Sequence, residues 1–240
     1  MDVGYREYEP SPRLGELVQC RWVRTGPAGP GRILPDGCMD LIEMDGTIVV
    51  AGPDTTAFTA AGRRDPVEGL RFRPGVLPRL LGVPAAELCN TRIDLRDLRR
   101  FDRGRSLEEL AETLASQTPR PETAPWPLPA LHDVTRRLAA GESVTTTARQ
   151  VGWSNRTMQR QCAAVYGYGP ATLRRILRFR RAVGLIGTGL SSSAVAAEAG
   201  YADQPHLHRE VRALAGVSWR QLRSAANRST EVPSGSSTVA

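Results

Sequence analysis

The sequence predicts an α+β chain of two domains, a β-rich, barrel-like N-terminal unit followed by an all-α unit. Three observations carry this. Short alternating runs separated by Gly/Pro/Asp turns fill the first hundred residues; a segment with five prolines among fourteen residues, QTPRPETAPWPLPA at 117–130, interrupts the chain; and beyond it one helical phrase is written twice.

In the N-terminal part, LVQCRWV (17–23) alternates apolar and polar residues, CMDLIEM (38–44) does so more loosely, and TIVVAG (47–52) is a β-branched run. Each reads as a strand. Pro35-Asp36-Gly37, Met44-Asp45-Gly46, Gly52-Pro53-Asp54 and Arg73-Pro74-Gly75 supply the turns between them. Strands this short, separated this regularly, predict a small barrel or sandwich. SLEELAETLASQ (106–117) places Leu107, Leu110, Ala111 and Leu114 on one face behind a Ser106/Glu109 capping box, and closes the domain as a helix.

The organisation expected is therefore a β-rich domain over 1–116, a linker over 117–128, a helical domain over 129–228 and a disordered tail over 229–240. The prolines exclude a helix through most of the linker, and the Ser/Gly/Pro/Thr tail has no periodicity.

In the helical part, VTTTARQVGWSNRTMQRQCAAVYG (144–167) is echoed by SSAVAAEAGYADQPHLHREVRALAG (192–216). Ala148 answers to Ala196, Gly152 to Gly200 and Trp153 to Tyr201; one residue later in register, Met158 answers to Leu207, Arg160 to Arg209, Cys162 to Val211 and Gly167 to Gly216. A short helix with a small inner alanine runs into a glycine able to take positive φ; an aromatic plugs the junction, and Ser154 or Asp203 caps a second helix. That is a helix-turn-helix, twice. Met158, Cys162 and Val165 must face inward in the first copy, and Leu207, Val211 and Leu214 in the second. Asn155, Arg156, Gln159 and Arg160 then face outward, as do Gln204, His206, His208 and Arg209, there or at the edges. Arginine reads guanine, and Asn or Gln reads adenine, in a major groove, and each also holds phosphates. Between the copies ATLRRILRFRRAVGLI (171–186) reads as an amphipathic rod about 24 Å long, suited to holding two recognition helices toward major grooves about 34 Å apart.

Charge agrees with this division. The chain has no lysine, a mark of GC-rich coding. Residues 1–130 hold 17 arginines against 19 acids, and residues 131–228 hold 15 against 5. A positive excess confined to one domain is the footprint of a phosphate-backbone binder. No apolar run reaches the ~20 residues of a membrane helix, and the first twenty residues lack a signal-peptide pattern, so a cytoplasmic location is expected.

The region 129–228 resembles the tandem helix-turn-helix domain of the AraC/XylS family of bacterial transcription regulators. The likeness rests on Ala148, Gly152, Ser154, Arg160, Gly167 and Pro170, on Arg178 and Ala182, and on AxxAGYxDQPHLHR with Gly216-Val217-Ser218. It implies a sequence-specific DNA-binding regulator, not an enzyme, without a cofactor or metal. Its contacts to DNA would fall on Asn155, Arg156, Gln159, Arg160, Gln204, His206 and Arg209. Its partners would be an operator in double-stranded DNA, a small-molecule effector, RNA polymerase and a second copy of the chain. Cys162, Leu207 and Val211 stand where the family carries aromatics, so a slimmer core is expected. LPDGCMDLI (34–42), AGPDT (51–55), RFRPG (71–75) and LLGVPAAEL (80–88) resemble a β-rich domain that precedes this module in regulators of high-GC bacteria, where it binds an effector, dimerises or both.

Three further features need weighing. Arg71 and Arg73 alternate about Phe72; on an inner face they form an effector site for an anion, and on an outer face they are solvated or paired with nearby acids. Cys38 opens an alternative function, thiol-dependent alkyl transfer or redox sensing delivered by the DNA module, although Cys20, Cys38, Cys89 and Cys162 lack metal spacing and read as core residues. His206 and His208, two apart on a helix, point to different sides and do not share a metal, and the first 131 residues contain no histidine.

Overall fold

The computed structural model describes residues 4–26, 31–61, 66–101 and 104–227. The tail expected to be disordered, 229–240, lies outside them. The chain passes through β1 (Gly4–Tyr8), β2 (Val18–Thr25), β3 (Gly31–Ile33), β4 (Met39–Met44), β5 (Thr47–Ala51), β6 (Phe58–Ala60) and β7 (Val67–Phe72). Then come α1 (Val76–Leu81), α2 (Ala85–Leu88), β8 (Arg92–Asp94), α3 (Leu95–Leu98) and α4 (Leu107–Ala115).

Six strands pair antiparallel in the order β1-β2-β7-β4-β5-β8, and β3 pairs with β6 as a separate ribbon. The expected barrel is not closed: β1 and β8 are the two edges of an open sheet. The reason is one of coverage. Helices bury one face of the sheet, with Leu41, Val50, Leu70 and Phe72 packed in one cluster with Leu77, Leu88, Leu95 and Leu110. Of these helices, α1, α2 and α3 are a departure from the strand-rich reading. They form where Gly75 (φ 80°) and Gly82 (φ 68°) allow left-handed turns and where Asp94 accepts the Arg96 amide at 2.9 Å. The capping box of α4 forms as expected, Glu109 N–H to Ser106 Oγ at 3.2 Å and Ser106 N–H to Glu109 Oε2 at 2.9 Å.

Alternation sends the other set of side chains to the opposite face, where Trp22, Ile42, Ala51 and Val67 form a second, smaller cluster. Val18 and Cys20 have the same parity yet face opposite ways because the β2–β7 register shifts between them. Trp22 lies flat across Gly69: a Cβ there would sit 2.5 Å from the indole.

The helical part comprises α5 (Leu128–Ala139), α6 (Val144–Gln150), α7 (Asn155–Tyr166), α8 (Pro170–Gly184), α9 (Ser192–Ala199), α10 (Gln204–Ala215) and α11 (Trp219–Asn227). Its interior is continuous with the helix-covered face of the sheet; Met158, Leu173, Phe179 and Leu207 belong to the same buried cluster as Leu41 and Leu70. At Gly75 an added Cβ would come within 2.6 Å of Val165 and 2.9 Å of Leu131. The proline-rich segment expected as an extended linker is non-helical over 117–127 but is not a loose spacer. Trp126 is buried and stacks on Trp153 with centroids 4.6 Å apart, and Arg79 donates to its carbonyl at 2.7 Å. Among the described residues no helix is long and apolar enough to cross a membrane.

Among the described glycines Gly52 has the closest neighbour, since a Cβ there would lie 1.6 Å from the Leu88 carbonyl oxygen. Gly52→Ala is expected to lower unfolding free energy by about 3 kcal/mol in urea titration. Gly46→Ala, where a Cβ meets nothing within 4 Å, carries only the positive-φ penalty of about 1 kcal/mol.

Candidate nucleic-acid interface and internal cavity

The two copies of the repeated phrase fold alike down to individual bonds. Gly152 and Gly200 take φ of 73° and 80°. Behind each, the aromatic amide returns to the inner alanine: Trp153 N–H to Ala148 O and Tyr201 N–H to Ala196 O, both at 2.8 Å. Ser154 Oγ accepts from Thr157 N–H at 3.1 Å, and Asp203 Oδ1 from His206 N–H at 2.6 Å, so both recognition helices are capped. Their inner faces, Met158, Cys162 and Val165 in α7 and Leu207, Val211 and Leu214 in α10, are buried, and the slimmer set expected from Cys162, Leu207 and Val211 leaves each fully packed.

Opposite these faces Asn155, Arg156, Gln159 and Arg160 are exposed on α7, and Gln204 and Arg209 on α10. His206 is half-buried: its ring stands edge-on to Tyr201 at 5.2 Å, and Nδ1 accepts from Ala202 N–H at 3.4 Å. The predicted residues thus fall into two groups, each on the first turns of a capped helix, with Pro205 removing one amide donor from the start of α10.

Residues outside that set hold the second copy in place. Glu210 on α10 receives Arg175 at 2.7 Å and Arg178 at 3.8 Å; Arg178 also lies over the Tyr201 ring at 4.6 Å, and Arg181 reaches Glu198 at 3.3 Å. These arginines of α8 are clamps. Only the rarity of acids in this half of the sequence signalled Glu210.

Between the sheet face carrying Trp22 and the β3–β6 ribbon lies a cavity of about 340 Å³. Its polar floor is built on Arg71, whose side chain is 4% exposed and stands 3.2 Å from Glu7, 3.5 Å from Asp36 and 3.5 Å from Asp40. Arg92 holds Asp54 through two bonds of 3.0 and 2.6 Å and lies over Phe58 at 4.2 Å. Arg24 also lines the wall. Arg71 and Arg73 do not share a face: β7 ends at Phe72, the period of two stops there, and Arg73 turns out to donate to the Gly15 carbonyl at 3.1 and 3.0 Å. Arg71 faces the cavity, but three carboxylates of the protein already surround it.

Cys38 is buried beside this floor, its Sγ 3.6 Å from Gln19 Oε1 and 3.9 Å from Arg180 Nη1. Burial pushes its thiol well above the ordinary range, and the four cysteines are unpaired. Burial of this kind opposes the thiolate form that alkyl transfer or redox sensing uses, while Arg180 and Arg71 pull the other way.

Comparison with known proteins places both halves. Residues 147–225 match a family described as a helix-turn-helix domain, and residues 6–94 match a domain of unknown function, DUF6597. The helix-turn-helix match spans α7 through α10 and so includes the second helix of each copy. Ahead of the helix-turn-helix match the chain carries the DUF6597 match, the two falling on the helical and the sheet-bearing parts described above. Solved structures similar to it include ToxT from Vibrio cholerae, 8% identical over 92% of this chain and 98% of that one with a TM-score of 0.45. A second is ToxT from Vibrio cholerae O395, 9% identical over 93% and 96% with a TM-score of 0.43. No curated protein matches the sequence.

Burial raises the Asp40 carboxyl from 3.8 to about 6, against the opposing pull of Arg71; Asp36 raises it further, and the Trp22 N–H, 2.9 Å away, lowers it. The fold therefore favours the neutral acid. That contribution is complete below the unfolded value and disappears as pH rises through about 6. In Asp40→Asn, where the amide oxygen still accepts from Trp22 and Arg71 keeps Glu7 and Asp36, urea midpoints measured from pH 4 to 7 should fall less steeply than in the wild type.

Proposed function

We propose that this protein is a sequence-specific transcription regulator in which α7 and α10 read adjacent major grooves of one operator and residues 1–116 adjust that reading. The observation that carries the proposal is the duplication itself. Two helix-turn-helix units with the same turn bonds present Asn155, Arg156, Gln159 and Arg160 on one recognition helix, and Gln204, His206 and Arg209 on the other. A lone unit reads half a site; two on one rigid scaffold suit two half-elements about one helical turn apart.

Residues 129–228 form the reader in this proposal, and residues 117–128 join it to the N-terminal domain. The cavity on Arg71 is where a small molecule would be sensed, and its size and its Trp22, Ile33, Ile42 and Phe58 lining suit a largely apolar one. With Arg71 and Arg92 both holding carboxylates, an anion finds less on that floor than the sequence promised.

Genome-wide occupancy followed by titration of purified protein on the enriched fragments tests the reading. A shared motif of two half-elements is expected, with log K falling several-fold faster than log salt rises. On that operator Arg160→Ala and Arg209→Ala should each weaken binding by about tenfold to a hundredfold, while affinity for a scrambled fragment changes far less. Equal losses on both fragments would assign the two arginines to phosphate, and unchanged affinity on both would remove them from the interface.

A further inference from the structure

The two recognition helices are gripped at their C-terminal ends, and the residues that grip them flank the cavity. At the end of α7, a Cβ on Gly167 would lie 2.6 Å from Pro53 and 3.1 Å from the Ala85 carbonyl. Pro53 stands between Gly52 and Asp54, both on the cavity wall. At the end of α10, Arg32 Nη1 donates to the Ala215 carbonyl at 2.6 Å, and Ala57 N–H donates to the Leu214 carbonyl at 2.7 Å. A helix cannot satisfy its own last carbonyls, which also carry the negative end of its dipole, so a guanidinium and an amide are the partners they need. Here both come from the N-terminal domain.

Arg32 and Ala57 are immediate neighbours of Ile33 and Phe58, which face each other across the ribbon and line the cavity. By strand alternation Ile33 turns to the cavity while Arg32 turns to α10. The ribbon is two strands of three residues, separate from the six-stranded sheet, and Phe58 is 38% exposed. A two-stranded ribbon of this size has little stability of its own, so its position answers to what lies on either side of it.

We propose that the β3–β6 ribbon is the mechanical link between the cavity and the second recognition helix. A small, largely apolar molecule seated between Trp22 and Ile42 on the sheet and Ile33 and Phe58 on the ribbon displaces the ribbon, and Arg32 and Ala57 carry the displacement to the rear of α10. The consequence for DNA rests on the reading of α10 given above; the link itself does not. The twelve residues of α10 span about 18 Å, so a tilt of about 5° at the rear moves its first turn by about 1.5 Å. Base contacts of 2.7–3.2 Å do not survive that shift. α7 is held differently, against Pro53 with the backbone of α2 behind it, so it stays fixed while α10 moves.

Hydrogen exchange on the full chain, followed by mass spectrometry, tests the link without DNA. Ala51, on the sheet side of the cavity, is replaced by Phe to occupy the space. Loss of the two ribbon bonds to α10 should accelerate exchange in peptides covering 57–60 and 204–216 by about tenfold, with 155–166 unchanged. Arg32→Ala, which removes one of the two bonds without touching the lining, should accelerate 204–216 by a smaller factor, and the double variant should exchange no faster there than Ala51→Phe alone. If Ala51→Phe does not fold, Ala51→Leu is measured in its place with the same expectation. Wild-type exchange at 204–216 in a folded cavity variant, or equal acceleration of α7 and α10, would overturn the proposal. Operator titration with the same variants separates the two readings. A link seen by exchange in a protein that selects no operator would leave this inference standing and remove the other, and the reverse result would do the opposite.

Discussion

A helix that reads DNA must leave its first turns bare, so everything that fixes it has to act on its inner face and its far end. The structure is arranged around that constraint. Met158, Cys162 and Val165, with their counterparts Leu207, Val211 and Leu214, bury the inner faces, while Gly167 and Gly216 seat the far ends against Pro53 and Arg32. The repeated glycine has two reasons to be there. It takes the left-handed turn that ends the helix, at φ of 84° and 69°, and it leaves room for the other domain to come close. A DNA-reading module able to fold by itself needs only the first.

The same constraint orders the charges. The helical half has five acids, Asp133, Glu142, Glu198, Asp203 and Glu210, and each is committed inside the protein. Asp133 and Glu142 hold Arg137, Glu198 holds Arg181, Glu210 holds Arg175 and Arg178, and Asp203 caps α10. Exposed pairs of this kind add little stability singly. Their effect is to fix where the arginines do not point. Arg149, Arg156, Arg160, Arg209, Arg212 and Arg220 are among the exposed arginines of this half. The clamp through Glu210 also ties α8 to α10.

Features set by neighbours in sequence were legible before the structure. Capping, the glycine turns and the inner faces of the repeat depend on residues within four positions of one another, and Ser154, Gly152 and Met158 could be placed from spacing alone. Features set by distant partners were not. That Trp126 would stack on Trp153 depends on two segments meeting, and proline content reported only that the backbone leading up to Trp126 is not helical. The separation of Arg71 from Arg73 depends on where β7 stops, a boundary that alternation cannot locate. Arg32 and Ala57 had no sequence signal because their roles exist only across an interface between domains.

Failure of the barrel to close explains why there is a cavity at all. In a closed barrel of this size the inner face would be filled by side chains from every strand. Here the helices take one face of an open sheet, and the register shift after Val18 turns Cys20 and Trp22 to the other, which must be covered by something else. The cover is a ribbon six residues in total, too small to fill the space above Trp22 and Ile42, so a void of about 340 Å³ remains with Arg71 and its carboxylates at the bottom. Arg71 and Arg92 are already paired with carboxylates of the protein, and the wall above them is largely apolar and meets water. The cavity therefore follows from the same economy of elements that puts the ribbon in contact with α10, and the space and its connection to the reader are one feature of the fold.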